Sequence, residues 1–171
     1  MSTPAPSVAA LVAVSVNRGA GYEVVVLAHV LSAVIGFGAV GVAGAYALIL
    51  GRRGPTSESV VRYYRPGVNW AGRVLFVVPV LGFVLIGMSH NPHGGYAVSD
   101  GWVMVGLWLW AVAALAAEMV LWPTERRLQQ LVAAGEWQDP AHRSLTRRVA
   151  WTSGGLLIIF VVSMVVMVAK P

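Results

Sequence analysis

The sequence predicts an all-α, polytopic membrane protein: an antiparallel four-helix transmembrane bundle. The chain of 171 residues is 57% hydrophobic and 11% charged, against roughly 25% charged in an ordinary soluble domain. Its apolar runs are long enough to cross the ~30 Å hydrocarbon core of a bilayer, and the short connections favour antiparallel neighbours. We therefore expect a single integral membrane domain over residues 1–171, with spans near 22–50, 68–88, 101–122 and 149–169.

The first span runs from Tyr22 to Leu50 and carries no formal charge beyond Glu23. One face of this run at helical spacing holds small or polar residues, which let a second helix approach closely. The members of this face are His29, Ser32, Gly36, Ala39, Ala43 and Ala47. We expect the face to pack against the other spans, so that His29 points into the bundle rather than at lipid.

The second span, residues 68–88, follows a short helix predicted over residues 57–64. It carries Arg73 near its start and Pro79 in its middle. Because Pro79 has no N–H to donate to the carbonyl oxygen of Leu75, we expect the helix to kink there.

The third span begins at a capping residue, Ser99 or Asp100, and is expected to leave the membrane at Pro123. Residues 124–135 then have the apolar spacing of a separate amphipathic helix that ends at a glycine. The fourth helix is expected to start in water at Pro140, because proline is favoured at the first helical position.

Lysine and arginine are distributed unevenly between the two sides of the predicted bundle. Ten of the twelve lie in the first and third loops or at their edge: Arg52, Arg53, Arg62, Arg65, Arg73, Arg126, Arg127, Arg143, Arg147 and Arg148. The other two, Arg18 and Lys170, lie on the opposite side. The positive-inside rule then predicts a multi-pass protein of the inner (plasma) membrane with both termini outside. The arginines are expected to bind anionic lipid at the cytoplasmic face rather than nucleic acid, because no basic motif accompanies them.

Two residues of opposite charge, Arg73 and Glu118, lie inside the second and third predicted spans. Counted from the arginine-rich side, their depths agree within ~2 Å. Because a charge inside the bilayer requires a partner, we expect an intramembrane ion pair that fixes the register of the two helices. A proton or substrate pathway is the alternative interpretation.

Histidine and methionine side chains gather on the opposite, outer side. His29 lies ~10 Å inside the first span, and His90 and His93 lie in the outer loop. The methionines of the outer halves are Met88, Met104, Met164 and Met167. Imidazole and thioether groups suit a soft ion such as copper(I), and two axial imidazoles suit a b-type haem. In the structural alternative, His29 bonds a carbonyl or Ser32 and the methionines fill gaps.

Residues 23–47, EVVVLAHVLSAVIGFGAVGVAGAYA, resemble the first helix of a bacterial family of small four-helix integral membrane proteins of unknown function. A histidine early in the helix, followed by glycines, carries the likeness. More distantly, the chain is similar to the membrane domain of copper-resistance protein D and to the haem-containing, four-helix protoporphyrinogen oxidase family of bacteria. The oxidase resemblance implies a haem held by His29, and the copper-protein resemblance implies metal handling near the outer face, again through His29.

The sequence therefore favours a non-catalytic accessory or small-ligand-binding membrane protein with a histidine cluster at the outer leaflet. One alternative is a b-type haem redox protein or oxidase that uses His29 as an axial ligand. A second is a copper-handling protein that uses His29 and the four methionines. The chain has no phosphate-binding glycine loop or serine–histidine–acid motif, and the absence of cysteine excludes thiolate sites. Besides the bilayer, a membrane-protein partner or a second copy of the chain is expected.

Overall fold

The computed structural model describes residues 19–53, 58–89, 95–136 and 140–169. The helices in this part of the chain, in order, are α1 (Ala20–Arg53), α2 (Glu58–Tyr63), α3 (Trp70–Arg73), α4 (Val77–Ser89), α5 (Gly101–Ala116), α6 (Trp122–Ala134) and α7 (Pro140–Ala169). A 3₁₀ turn (Val74–Phe76) joins α3 to α4. A π turn (Ala117–Leu121) joins α5 to α6.

Four of these helical stretches are long and apolar enough to cross a membrane, with mean hydropathies between 2.0 and 2.4. We call α1 span 1, α3 to α4 span 2, α5 to α6 span 3, and α7 span 4. The predicted all-α, four-span membrane protein is confirmed. The end of the bundle where span 1 finishes and span 2 begins is called the arginine-rich end, and the opposite end is called the His29 end.

Span 2 departs from a regular α-helix just before Pro79 rather than at it. The 3₁₀ turn precedes α4, so Pro79 lies in the first turn of α4. Proline leaves the carbonyl oxygen of Leu75 without its usual N–H partner. That oxygen accepts a hydrogen bond from Nε1 of Trp110 on span 3, at 3.0 Å. The break in the helical ladder is therefore filled from the neighbouring span.

Span 3 continues as a helix through Pro123, where the sequence predicts that the chain leaves the membrane. The helix continues through the π turn into α6, in which Pro123 is the second residue. A π turn changes the hydrogen-bond register locally, so the proline that follows it does not end the helix. The predicted end at Gly135 is confirmed, because this residue has the left-handed φ of 73° that glycine adopts without strain.

Spans 1 and 4 each pack against two other spans, so that the contacts run in the order span 2, span 1, span 4, span 3. Span 1 packs along span 4 and span 2, and span 3 packs along span 4, whereas spans 2 and 3 approach each other chiefly through side chains. Glycines of span 1 allow close contacts with the neighbouring helices. A Cβ atom built at Gly44 would lie 2.6 Å from Cβ of Ser153, and one at Gly36 would lie 2.8 Å from the backbone nitrogen of Leu75. Any larger residue at these positions would push the helices apart.

Buried apolar side chains are concentrated toward the arginine-rich end. The largest fully buried ones are Tyr64, Leu50, Leu75, Leu121, Leu128, Leu156, Val40, Val60 and Val149, and all of these except Leu75, Leu156 and Val40 lie toward that end. By contrast, α4, which forms the His29-end part of span 2, has no fully buried residue. The bundle is therefore densely packed at one end and loosely packed at the other, where it encloses a cavity.

Candidate functional site

His29 contacts span 2 through one nitrogen of its imidazole ring. Nδ1 lies 2.9 Å from the carbonyl oxygen of Val78. Because a carbonyl oxygen only accepts, Nδ1 carries the proton and Nε2 is left with its lone pair. Gly82, one turn further along α4, makes room for the ring, since a Cβ atom there would lie 3.5 Å from Cε1. Among the described residues, His29 has no further hydrogen bond through Nε2.

A cavity of about 390 Å³ lies beside His29, between the four spans. Its walls are mainly apolar and include the rings of Tyr22, Phe37, Phe83, Trp102, Trp110 and Phe160. No aspartate, glutamate, lysine or arginine of the described chain lines it. The hydroxyl group of Ser163 donates to the carbonyl oxygen of Ile159 at 2.8 Å, as Trp110 does to Leu75. Two of the lining donors are therefore already bound to the backbone.

The cavity reaches the surface of the bundle. Val30, Phe83 and Val168 belong to its lining, and their exposed fractions are 48%, 49% and 80%. In a membrane these side chains face the acyl chains of the lipids. The cavity is therefore accessible to a molecule dissolved in the bilayer.

The residues predicted as haem or copper ligands do not all meet at this cavity. His29, Met164 and Met167 line it. Met88 and Met104 do not line it and are 45% and 41% exposed. His90 and His93 lie outside the described residues. In the described part of the chain, no group of three or more histidine or acidic side chains is arranged to hold a metal ion.

Arg73 and Glu118 lie in contact between spans 2 and 3. Nη1 of Arg73 donates to Oε1 of Glu118, and the exposed fractions of the two side chains are 25% and 44%. The guanidinium group also lies 3.8 Å above the centre of the Trp122 ring. The π turn that contains Glu118 lies between α5 and Trp122, so a local change of helix type accompanies this contact.

A second polar cluster, which the sequence did not reveal, lies at the arginine-rich end. Glu125 of α6 is only 4% exposed, and its Oε1 accepts a hydrogen bond from the hydroxyl group of Tyr63 at 2.9 Å. Nδ2 of Asn69 lies 3.5 Å from the same hydroxyl oxygen. The sequence does contain a sign of this position. Glu125 is four residues after Leu121 and three before Leu128, so it shares a helical face with two apolar residues, both of which are buried.

Two tyrosines beside Glu125 are held in the neutral form. Burial raises the pKa of Tyr63, and the negative charge of Glu125 raises it further. Burial and the same charge also raise the pKa of Tyr64. Tyr63 stacks face to face on Tyr46 of α1, with ring centres 4.5 Å apart. The carboxyl group of Glu125 is therefore surrounded by aromatic rings and neutral hydroxyl groups.

The comparison with known proteins identifies one family. Residues 23–171, which comprise all four spans, match the family model described as "Predicted integral membrane protein (DUF2269)". No curated protein and no solved structure matches the chain. The match extends over far more than half of the sequence and agrees with the four membrane-crossing helices. The chain therefore belongs to this family of integral membrane proteins.

Proposed function

We propose that the protein is a non-catalytic membrane protein that binds a small apolar ligand in the cavity beside His29. The observation that carries this proposal is the cavity itself, about 390 Å³ between four apolar helices. Binding sites for small molecules have this character: a mostly apolar wall and a few placed polar groups. Here Nε2 of His29, whose ring is fixed by Val78, is the polar group that orients the ligand.

The ligand is a neutral molecule that donates a hydrogen bond. Nε2 of His29 is an acceptor while Nδ1 is protonated, and no cationic side chain lines the cavity to neutralise an anion. A carboxylate or phosphate would therefore lose its hydration without compensation. An apolar alcohol or phenol satisfies both conditions and enters from the lipid beside Phe83 and Val168.

A haem group held by His29 is the second candidate. Histidines that bind a metal usually donate their other ring N–H to a carbonyl or carboxylate group, as Nδ1 does to Val78. His29 and either Met164 or Met167, which line the same cavity, would hold the haem iron through an imidazole and a thioether, a ligand pair known for haem iron. When bound, such a haem supplies one-electron chemistry. Copper(I) suits the same three side chains, without Met88 and Met104.

The test is the composition of the protein purified in detergent from cells supplied with haem and copper. We expect a neutral, lipid-soluble compound to co-purify in a stoichiometric amount, as measured by mass spectrometry of an organic extract. His29→Gln should lose this compound and change stability by only ~1 kcal/mol, typical of an intramembrane hydrogen bond. His142→Gln, which removes a histidine at the arginine-rich end, should retain it.

Other compositions contradict the ligand proposal in distinct ways. A Soret band that His29→Gln abolishes identifies the haem protein. Copper bound in a stoichiometric amount, with an affinity that falls stepwise as His29, Met164 and Met167 are replaced, identifies the copper-handling protein. Protein that carries no compound, haem or metal contradicts the ligand, haem and copper proposals. An accessory role with a membrane-protein partner or a second copy of the chain then remains.

We also propose that the protein lies in the inner membrane with its arginine-rich end in the cytoplasm. The exposed arginines of this end include Arg52, Arg62, Arg65, Arg126, Arg127, Arg143, Arg147 and Arg148. Exposed arginines next to membrane spans favour the cytoplasmic side and bind anionic lipid. The cavity then opens in the outer leaflet.

A further inference from the structure

Glu125 is a buried carboxyl group without a cationic partner. It is 4% exposed, and an ionised carboxylate is costly to bury unless it is paired. The ion pairs in the described part of the chain involve Glu58 and Glu118, but none involves Glu125. The neutral hydroxyl of Tyr63 donates a hydrogen bond to it, and the neutral amide of Asn69 lies beside that hydroxyl.

Glu125 has no cationic partner among the described residues, although two arginines, Arg126 and Arg127, follow it directly in the sequence. Both of these arginines are exposed. Arg73, on the facing span, pairs with Glu118, which is 44% exposed. A carboxylate whose only role was to fasten spans 2 and 3 would be expected to take the buried position together with the arginine. The fold instead pairs the more exposed carboxylate and leaves the buried one among neutral donors.

Tyr64 provides a second, independent observation. Its side chain is fully buried, and its hydroxyl group has no hydrogen-bond partner among the described residues. The charge of Glu125 contributes to the raised pKa of Tyr64, so this hydroxyl lies within electrostatic range of the carboxyl group. A buried hydroxyl without a partner destabilises the fold. The Tyr64 hydroxyl group becomes favourable when the neighbouring carboxyl group ionises, because the carboxylate then needs another hydrogen-bond donor.

We propose that Glu125 is a proton-binding site, with Tyr63, Tyr64 and Asn69 as the donors that stabilise its ionised form. In the resting bundle the carboxyl group is protonated. On release, its O–H bond breaks, the proton passes to water at the arginine-rich end, and the electron pair stays on the carboxylate; nothing is oxidised or reduced. Among the described residues, the ionisable groups that interact with Glu125 are Tyr63 of α2 and Tyr64, which follows α2. The elements packed around it also carry Tyr46 on α1, Arg62 on α2, Arg73 on α3 and His142 on α7.

The position of Glu125 gives its proton a structural consequence. The side chain joins α6 of span 3 to Tyr63 of α2, whose hydroxyl oxygen lies 3.5 Å from Nδ2 of Asn69, the residue that caps α3 at the start of span 2. Spans 2 and 3 have few backbone contacts with each other. A change of charge at Glu125 therefore acts on the spacing of these two spans.

The test is infrared spectroscopy of the full chain in lipid nanodiscs over a pH series. We expect the C=O stretching band of a protonated carboxyl group to persist well above about pH 4.3, the ordinary value for glutamate. Glu125→Gln should remove this band. Glu118→Gln, the matched control on the same span, should retain it. Absence of the band in the unmodified protein, or its survival in Glu125→Gln, overturns the proposal.

Tyr64→Phe provides a second test that keeps the carboxyl group and most of the packing. Loss of a donor to the ionised carboxylate should move the disappearance of the band upward by about one to two pH units. Circular dichroism confirms that each variant is folded. An unchanged titration in Tyr64→Phe contradicts the role of the hydroxyl group. If no carboxyl band is seen, and sodium or potassium ions stabilise the unmodified protein but not Glu125→Gln, the site binds a metal cation and the proton proposal fails.

Discussion

Arg73 contacts two residues of span 3 at once, one through an ion pair and one through a cation–π contact. Its ion pair with Glu118 is partly exposed, at 25% and 44%, and such pairs contribute about 1 kcal/mol or less. Its guanidinium group also lies 3.8 Å above the Trp122 ring, and a cation–π contact adds roughly 0.5–1 kcal/mol. Arg73 therefore contributes more to the joint between spans 2 and 3 than Glu118 does.

Replacement of the two residues, singly and together, tests this contact. Arg73→Gln should lower the free energy of unfolding more than Glu118→Gln, because it removes both contacts. The double variant should be more stable than the sum of the single losses indicates, since each change removes the same pair. Thermal unfolding in detergent gives the three values.

The exposed pair Glu58 and Arg62, 2.8 Å apart on α2, is the matched control. Its coupling should be only about 0.3–0.5 kcal/mol. Strict additivity at Arg73 and Glu118 would show that the two side chains do not interact in solution, and the guanidinium group would then be free to bind lipid phosphate.

The sequence predicts how deep a side chain lies along its helix more easily than it predicts which way the side chain points. Arg73 and Glu118 were placed at one depth by counting along their helices, and the structure has them in contact. Counting likewise set Met88 and Met104 near His29, but the helical faces direct both away from the cavity. The buried position of Glu125 was not predicted, because next to Arg126 and Arg127 this residue has the pattern of an exposed run of charges.

At the scale of the element, spans 2 and 3 are irregular where they face each other. Span 2 contains a 3₁₀ turn and span 3 a π turn. Pro79 leaves the Leu75 oxygen free, and Trp110 occupies it at 3.0 Å. Pro79 predicted that span 2 would be irregular, but not that an indole on another span completes its hydrogen bonding. The π turn has no comparable sequence signal, so the continuous helix through Pro123 was not predicted.

This arrangement predicts that the cost of losing the indole N–H depends on Pro79. Trp110→Phe should destabilise the protein by about 1 kcal/mol, because the Leu75 oxygen is left without a partner. In a Pro79→Ala background the same change should cost less, since residue 79 then donates its own N–H to that oxygen. Unfolding free energies of the four proteins check this.

Trp108→Phe is the control for loss of an indole, because Trp108 is 68% exposed and its replacement should have little effect. An equal cost of Trp110→Phe in both backgrounds would contradict the hydrogen bond to Leu75.

For the whole molecule, orientation follows from the arginines. A reporter active only in the periplasm should be active when fused after Lys170 and silent when placed within residues 126–145, because the positive-inside rule holds the latter in the cytoplasm. Cells that express each fusion give the measurement directly. The reverse pattern would invert the molecule and turn the cavity toward the inner leaflet.

The four spans themselves were predictable because membrane insertion depends on length and apolarity, which are properties of single segments. Span 1, predicted over 22–50, is Ala20–Arg53 in the structure. The order of the spans in the bundle, with spans 1 and 4 each packed against two others, depends on contacts between distant segments. The cavity follows from that order, so no local pattern indicated it.

The uneven packing of the bundle divides it into two regions with different resistance to local unfolding. At the arginine-rich end, Leu50, Leu128 and Val149 belong to one buried cluster, and opening it disrupts contacts of several helices together. Near His29, α4 has no fully buried residue to disrupt, so a partial opening there has a lower free energy. A ligand that binds only the closed form opposes this opening by mass action. Occupancy of the cavity therefore makes the bundle more rigid, but only in one leaflet.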